Sequence, residues 1–275
     1  MDPTCHAMFH LPSEYQVHNI SSFELNEKRF VDQLDTLTES AQPYVISLAI
    51  LYVVTIFYLK NKLSTRAAYS LRTPLILWNF FMAALSLLFT YQFGIYQTAR
   101  IRERGVLGGL FFHPKNRADQ DIWLDLFAWS KIIELVDTLF IVLRKRPLIS
   151  LHWSHHFLTV IYAFFAARET YLVASSFINS LIHTVMYTYY GLRALGYKVP
   201  RQLAMALTTA QIVQMIIGMI LAMKAIHYRY MGCLESSSYL IDIYAILMFA
   251  FYTIMFGKYF FSTYINSSVR RSKVN

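Results

Sequence analysis

PLILWNFFMAALSLLFTYQF, residues 74–93, runs twenty residues without a charge. As a helix it would be about 30 Å long, the thickness of a bilayer's hydrocarbon core. Backbone groups placed in hydrocarbon must bond to one another, which leaves a helix or a closed barrel. The run has no alternation of period two, so it reads as a helix. Six more apolar runs of similar kind follow outward from it: Pro43–Leu59, Trp123–Leu143, Leu148–Ala167, Tyr171–Leu192, Leu203–Met223 and Tyr239–Tyr264. The expected fold is an all-α integral membrane protein with seven transmembrane helices. Residues 1–42 are expected as a polar N-terminal tail without a signal peptide, 43–264 as the membrane domain and 265–275 as a basic C-terminal tail.

The composition agrees. Of 275 residues 56% are hydrophobic and 15% charged, against about 25% charged in an ordinary soluble domain. That excludes a disordered chain, and two cysteines exclude a disulfide scaffold. Residues 1–42 carry a net charge of −5 and residues 43–275 a net of +14. A basic membrane body suits anionic headgroups or a phosphate-bearing ligand; nucleic acid is not expected, because the cations sit in short clusters between apolar runs. Seven spans place the termini on opposite sides. A luminal N-terminus puts 13 basic residues on the cytosolic side and ten on the luminal side, so the positive-inside rule favours a cytosolic C-terminus. Asn19-Ile20-Ser21 is then a luminal glycosylation sequon, and Lys273 and Arg271 near the end resemble a retrieval signal of the endoplasmic reticulum.

Charged and His side chains inside a span are costly and point to function. The third span carries Lys131, Glu134 and Thr138 at i, i+3, i+7, with Asp137 at the edge of that stripe. The fourth carries His152, His155 and His156. The fifth carries Asn179, His183, Met186 and Tyr190 on one stripe, with Tyr187 beside it, and the sixth carries Thr208, Gln211 and Gln214. Counted from the span ends, Glu134, His155, His183 and Gln211 all lie roughly 10–14 Å from the same membrane face. Two chemistries fit such a cluster. His152, His155 and His156 have the spacing of metal ligands, and only four of the nine histidines can meet, enough for one metal. Alternatively, a buried neutral imidazole can attack an activated ester and carry the acyl group. Arg144, Lys145, Arg146, Arg193 and Lys258 would ring the mouth of that site and hold phosphates, although positive-inside topology and snorkelling also account for each of them.

Together these elements resemble the very-long-chain fatty acid elongases, the condensing enzymes of the endoplasmic reticulum. The resemblance rests on Lys131-x-x-Glu134-x-x-Asp137-Thr138, His152-x-x-His155-His156, Asn179-x-x-x-His183-x-x-Met186-Tyr187-x-Tyr189-Tyr190 and Thr208-x-x-Gln211-x-x-Gln214, in that order. It implies six spans around a narrow acyl tunnel with the first span outside, and a 3-ketoacyl-CoA synthase joining acyl-CoA to malonyl-CoA with loss of CO2. It implies His155 as the nucleophile, His183 as its assistant, and His152 and His156 as orienting groups. Lys131, Glu134, Asp137, Asn179, Tyr187 and Gln211 complete the network. No metal or other cofactor is implied. The implied partners are the two CoA thioesters, membrane lipid, a ketoreductase, a dehydratase and an enoyl reductase, with self-association common. Trp153 inside the histidine box resembles the branch acting on saturated and monounsaturated chains. Some members join two luminal loops by a disulfide; here Cys233 has only Cys5 as a partner in the chain, and two free thiols are expected.

Overall fold

The computed structural model describes residues 22–111, 118–167, 169, 171–234 and 239–266. Among these residues the structure is helical, with no strand: α1 (Ser22–Lys62), α2 (Arg72–Phe111), α3 (Ala118–Glu134), α4 (Val136–Leu143), α5 (Ser150–Phe165), α6 (Leu172–Leu195), α7 (Arg201–Tyr230) and α8 (Tyr239–Phe260), closed by a π turn over Phe261–Ile265. Each of the seven apolar runs is helical. Among the described residues four stretches are long and apolar enough to cross a membrane: Asp32–Lys62, Arg72–Phe111, Arg201–Tyr230 and Tyr239–Ile265. The other three runs fall short of that measure for physical reasons. The third is cut into α3 and α4 at Leu135, and α5 has only 16 residues. In α6, Ser175, Ser176, Asn179, Ser180, His183, Thr184 and Thr188 dilute an otherwise apolar helix.

Helix ends depart from the apolar runs in two places. Residues 22–42, polar in sequence, are helical and continuous with the first run in α1. The basic stretch after Phe93 is helical too, extending α2 as far as Phe111. It turns at Gly105, whose φ of 68° lies where only glycine is unstrained. Beyond the turn the chain folds back, and Gln97 Nε2 donates to the Gly109 carbonyl at 3.2 Å.

Neighbouring helices close a ring: α2 packs on α6, α6 on α7, α7 on α8, α8 on α5, α5 on α3 and α3 on α2. α1 lies outside that ring against α3, α4 and α5. Its polar side chains fix the docking. Gln42 donates to the Phe164 carbonyl at 3.2 Å, and Trp129 Nε1 donates to Thr38 Oγ1 at 3.1 Å. Large apolar residues such as Leu51, Leu77, Leu240 and Leu247 are 60–75% exposed around the outside. In water such a surface would drive association, whereas in hydrocarbon it is at no disadvantage.

At one end of the ring, cations close helix termini. Arg72 donates to the Ala194 and Leu195 carbonyls at 3.0 and 2.8 Å, and Arg201 donates to those of Thr263 and Tyr264 at 3.3 and 2.8 Å. These bonds satisfy carbonyls that a helix end leaves unpaired. At the other end Arg229 forms ion pairs with Glu169 and, at 2.8 Å, with Asp242, all three buried. Cys233, beside this end, is disulfide-bonded, which corrects the expectation of free thiols. The only other cysteine in the sequence, Cys5, lies outside the described residues. Sequence separation says nothing about spatial approach, so the pairing had no local signal.

Candidate active site

The break between α3 and α4 organises the polar cluster. Leu135 N–H donates to the Ile132 carbonyl and Thr138 N–H to that of Leu135, both at 3.2 Å. These tight i to i+3 bonds replace the regular ladder for one turn. The expected stripe is thereby split. Lys131 and Glu134 face one way, while Asp137 and Thr138 face two others.

Lys131 Nζ donates to Glu134 Oε1 at 2.6 Å and to Asn179 Oδ1 at 2.9 Å, and it lies 4.2 Å from the centre of the Phe127 ring. Glu134 Oε1 is in turn 3.6 Å from His183 Nδ1. Lys131 and Glu134 are each only 3% exposed. A buried charge without a partner is very costly, so each of these two depends on the other.

Asp137 accepts from Trp78 Nε1 at 2.5 Å and from the Tyr187 hydroxyl at 2.6 Å, and its Oδ2 stands 3.9 Å from His156 Nε2. Thr138 Oγ1 bonds Tyr52 Oη at 2.7 Å and His152 Nε2 at 3.0 Å. The rings of His152 and His156 stand 4.6 Å apart, and those of His156 and His155 5.7 Å apart.

His155, like His152, has no carboxylate against it; its Nδ1 is 3.4 Å from Thr159 Oγ1, and its ring meets the edge of Tyr252 at 5.0 Å. Alone among the four it lines the main cavity of the helix ring, which is bounded by residues of α3, α5, α6, α7 and α8. At the His155 end the wall includes Lys131, Asn179, Thr159 and Gln214; toward the Glu169–Arg229–Asp242 end it is mainly Ala163, Leu172, Gly218, Met248 and Phe249. His183 lines a smaller neighbouring space with Lys131, Glu134 and Asn179.

The remaining expected residues take varied positions. Gln211 is half-buried and donates to Met186 Sδ at 3.5 Å, while Gln214, one turn further along α7, reaches the main cavity. Lys145 donates to the Ser64 carbonyl at 2.8 Å, and Arg193 to the Tyr189 hydroxyl at 3.3 Å. Arg144, Arg146 and Lys258 make no side-chain hydrogen bond or ion pair among the described residues, and Arg146 and Lys258 are exposed. Among the described residues no group of three or more His, Cys, Asp and Glu side chains is placed to hold a metal ion. Asn19 lies outside the described residues.

Four members of the cluster carried no role in the sequence reading: Tyr52, Trp78, Thr159 and Tyr252. Two had a signal. Tyr52 and Trp78 each bring one polar atom into an apolar run, and a buried Tyr or Trp needs a partner for it.

Residues 37–272 match the family described as ELO: GNS1/SUR4 family. The chain belongs to that family. It is 34% identical to the very long chain fatty acid elongase 3 of Homo sapiens, over 81% of this chain and 83% of that one. It is 33% identical to the putative fatty acid elongase 4 of Caenorhabditis elegans, over 83% and 79%, and 32% identical to the very long chain fatty acid elongase 6 of Gallus gallus, over 82% and 86%.

Proposed function

We propose that this protein is the condensing enzyme of fatty acid elongation, a 3-ketoacyl-CoA synthase acting on long-chain acyl-CoA and malonyl-CoA. One observation carries the reading: of four clustered histidines, His155 stands at the polar end of a long apolar cavity with its Nδ1 on a hydroxyl and no carboxylate against it.

With Nδ1 carrying the proton toward Thr159, Nε2 of His155 attacks the thioester carbonyl of the acyl-CoA. The CoA thiolate leaves, and an acyl-imidazole remains. The carboxylate of malonyl-CoA departs as CO2, and the carbanion so formed attacks the acyl carbonyl, expelling the imidazole and giving a 3-ketoacyl-CoA two carbons longer. His183, held near Glu134, assists on the malonyl side. Lys131 and Asn179, bonded together on the cavity wall, orient the acyl oxygen. His152 and His156, fixed by Thr138 and placed beside Asp137, hold the box in register. The acyl chain runs down the apolar wall toward Phe249. CoA phosphates lie toward Arg144, Arg146 and Lys258, with Lys145 and Arg193 released from their present carbonyl and hydroxyl acceptors. The reaction uses no metal or other cofactor.

In the same reading all seven helical runs cross the membrane of the endoplasmic reticulum, six of them around the acyl tunnel and α1 outside. α3 with α4, α5 and α6 are shielded by the four more apolar spans, so they tolerate their polar content. The N-terminus is luminal, with Asn19 glycosylated, and the C-terminus cytosolic. Trp153 supports saturated or monounsaturated primers. The ketoreductase, dehydratase and enoyl reductase of the cycle act on the product, and the chain self-associates.

The deciding experiment is release of labelled CO2 from carboxyl-labelled malonyl-CoA by the purified protein, with a panel of acyl-CoA primers. Primer-dependent release with a 3-ketoacyl product is expected. Release from folded protein that ignores the primer, or none with any primer, overturns the reading.

A further inference from the structure

Two serines on the wall of the main cavity carry unused hydroxyls. Ser175 and Ser176 line the cavity, and their buried Oγ atoms have no hydrogen-bond partner among the described residues. Ser176 is 1% exposed. A hydroxyl in a membrane helix ordinarily bonds the carbonyl four residues back. On this same helix Ser180 does so at 2.7 Å, Thr184 at 2.8 Å and Thr188 at 2.7 Å. Ser175 and Ser176 forgo that bond and sit on the cavity wall instead. A buried unmade hydrogen bond is expensive, so a pair of them on the wall of a ligand cavity marks a polar contact with the ligand.

Their depth is fixed by two helices. Ser176 lies seven residues before His183 on α6, and Tyr162, also on the wall, lies seven residues beyond His155 on α5. At about 1.5 Å per residue both are roughly 10 Å from the histidine level, and Ser175 roughly 12 Å. An extended chain advances roughly 1.25 Å per carbon, so the serines face an acyl chain at about carbons 8–10.

We propose that the cavity is built to accept acyl chains carrying an oxygen function, a hydroxyl or a keto group, near carbons 8–10, and that Ser175 and Ser176 bind it. This rests on the condensing reading of His155. An alkene at the same depth would offer only a weak O–H···π contact, which leaves the hydroxyls largely unmet, whereas an oxygen can meet both.

The test compares octadecanoyl-CoA, its 9-hydroxy, 9-oxo and 16-hydroxy derivatives, and cis-9-octadecenoyl-CoA as primers for CO2 release, each as kcat/KM. In the native protein the 9-hydroxy and 9-oxo primers are expected to exceed the 16-hydroxy primer at least tenfold. That ratio is expected to fall to near one in Ser175→Ala/Ser176→Ala, and to be largely restored in Ser175→Ala/Ser176→Thr, which keeps one hydroxyl. A ratio near one in the native protein, or one unmoved by the double substitution, overturns the proposal; such a result means that water satisfies the serines. A gain confined to the cis-9 primer overturns it as well. If the double variant is unstable, the native ratio and the Ser175→Ala single variant decide. Release with unsubstituted octadecanoyl-CoA keeps the two readings apart. Where it occurs without the oxygen preference, only this inference fails; where no primer supports release, the condensing reading fails first.

Discussion

Two buried polar clusters cap the cavity, and they are built in opposite ways. At the far end Arg229 holds two carboxylates at once, Glu169 and Asp242, with the Tyr171 hydroxyl donating to Asp242 at 3.1 Å. At the near end the charges are also paired, Lys131 on Glu134 at 2.6 Å, but the histidines stand off: His183 is 3.6 Å from Glu134 and His156 is 3.9 Å from Asp137. A short, closed network fixes a structure, because removing one partner leaves an uncompensated charge. A looser one beside an open cavity leaves capacity for groups that arrive with a ligand, and catalytic hydrogen bonds commonly tighten only once the substrate is bound. Under the proposed function the difference separates a clamp that holds helices together from a site that does chemistry, although both read in sequence as charges inside spans.

The strongest way to break this comparison is His155→Ala. If the near cluster does chemistry, this variant keeps its fold yet loses CO2 release by at least about a thousandfold, because a nucleophile cannot be partly replaced. Mass spectrometry of the native protein incubated with acyl-CoA alone should show an acyl adduct that the variant lacks. An adduct that survives in the variant would falsify the assignment of His155.

The far cluster predicts the converse. Arg229→Ala leaves Glu169 and Asp242 buried without their cation, at a cost of about 3–5 kcal/mol. Thermal unfolding in detergent should move down sharply, with residual folded protein turning over at a near-native rate per molecule. The triple change Arg229→Met, Glu169→Gln, Asp242→Asn removes all three charges and should recover much of the lost stability, since clustered charges are strongly non-additive. A triple variant worse than the single one would show that this end is not a closed ion network.

The contrast between the clusters also shows what the chain discloses before folding. The apolar runs announce helices directly, because a backbone in hydrocarbon has so few ways to pair its own groups, although the third run is split into α3 and α4. Helical spacing brings Glu134, His155 and His183 to one depth, and all three belong to the cluster. What spacing could not convey was the break at Leu135. A continuous helix puts Lys131, Glu134 and Thr138 on one stripe; the break turns Thr138 toward Tyr52 and His152, and Asp137 toward Trp78 and Tyr187. Nor does spacing tell Gln211 from Gln214, three residues apart on one helix, of which only Gln214 lines the main cavity. Glu169 and Asp242 lie 73 positions apart in the chain, so the clamp they form on Arg229 has no local pattern at all.

Asp137→Asn sharpens the picture within the near cluster. Both carboxylate oxygens are acceptors, one for the Trp78 indole and one for the Tyr187 hydroxyl. An amide can accept from one of them but must turn N–H groups toward the other. Hydrogen bonds to a charged group contribute about 1.5–3 kcal/mol, so kcat/KM should fall roughly ten- to a hundredfold, far short of the loss in His155→Ala. A loss as large as that of His155→Ala would mean that Asp137 itself meets the reacting atoms.

The smallest effect belongs to α1, which lies outside the ring yet reaches the box through the Tyr52 hydroxyl, besides an edge contact of Phe57 on Trp153 at 5.5 Å. Tyr52 bonds Thr138 at 2.7 Å, and Thr138 in turn bonds His152 at 3.0 Å. Tyr52→Phe keeps the packed ring and removes that one neutral hydrogen bond, which contributes about 1 kcal/mol. CO2 release should therefore drop by only a few-fold. Thr138→Val removes both bonds, leaves the Tyr52 hydroxyl and His152 Nε2 without their partner, and should cost more than Tyr52→Phe. In the double variant the Tyr52 change should add almost nothing, because the hydroxyl acts only through Thr138. Additive losses would instead assign Tyr52 a separate path to the site, and α1 would then be a working wall of the site and not an outer brace.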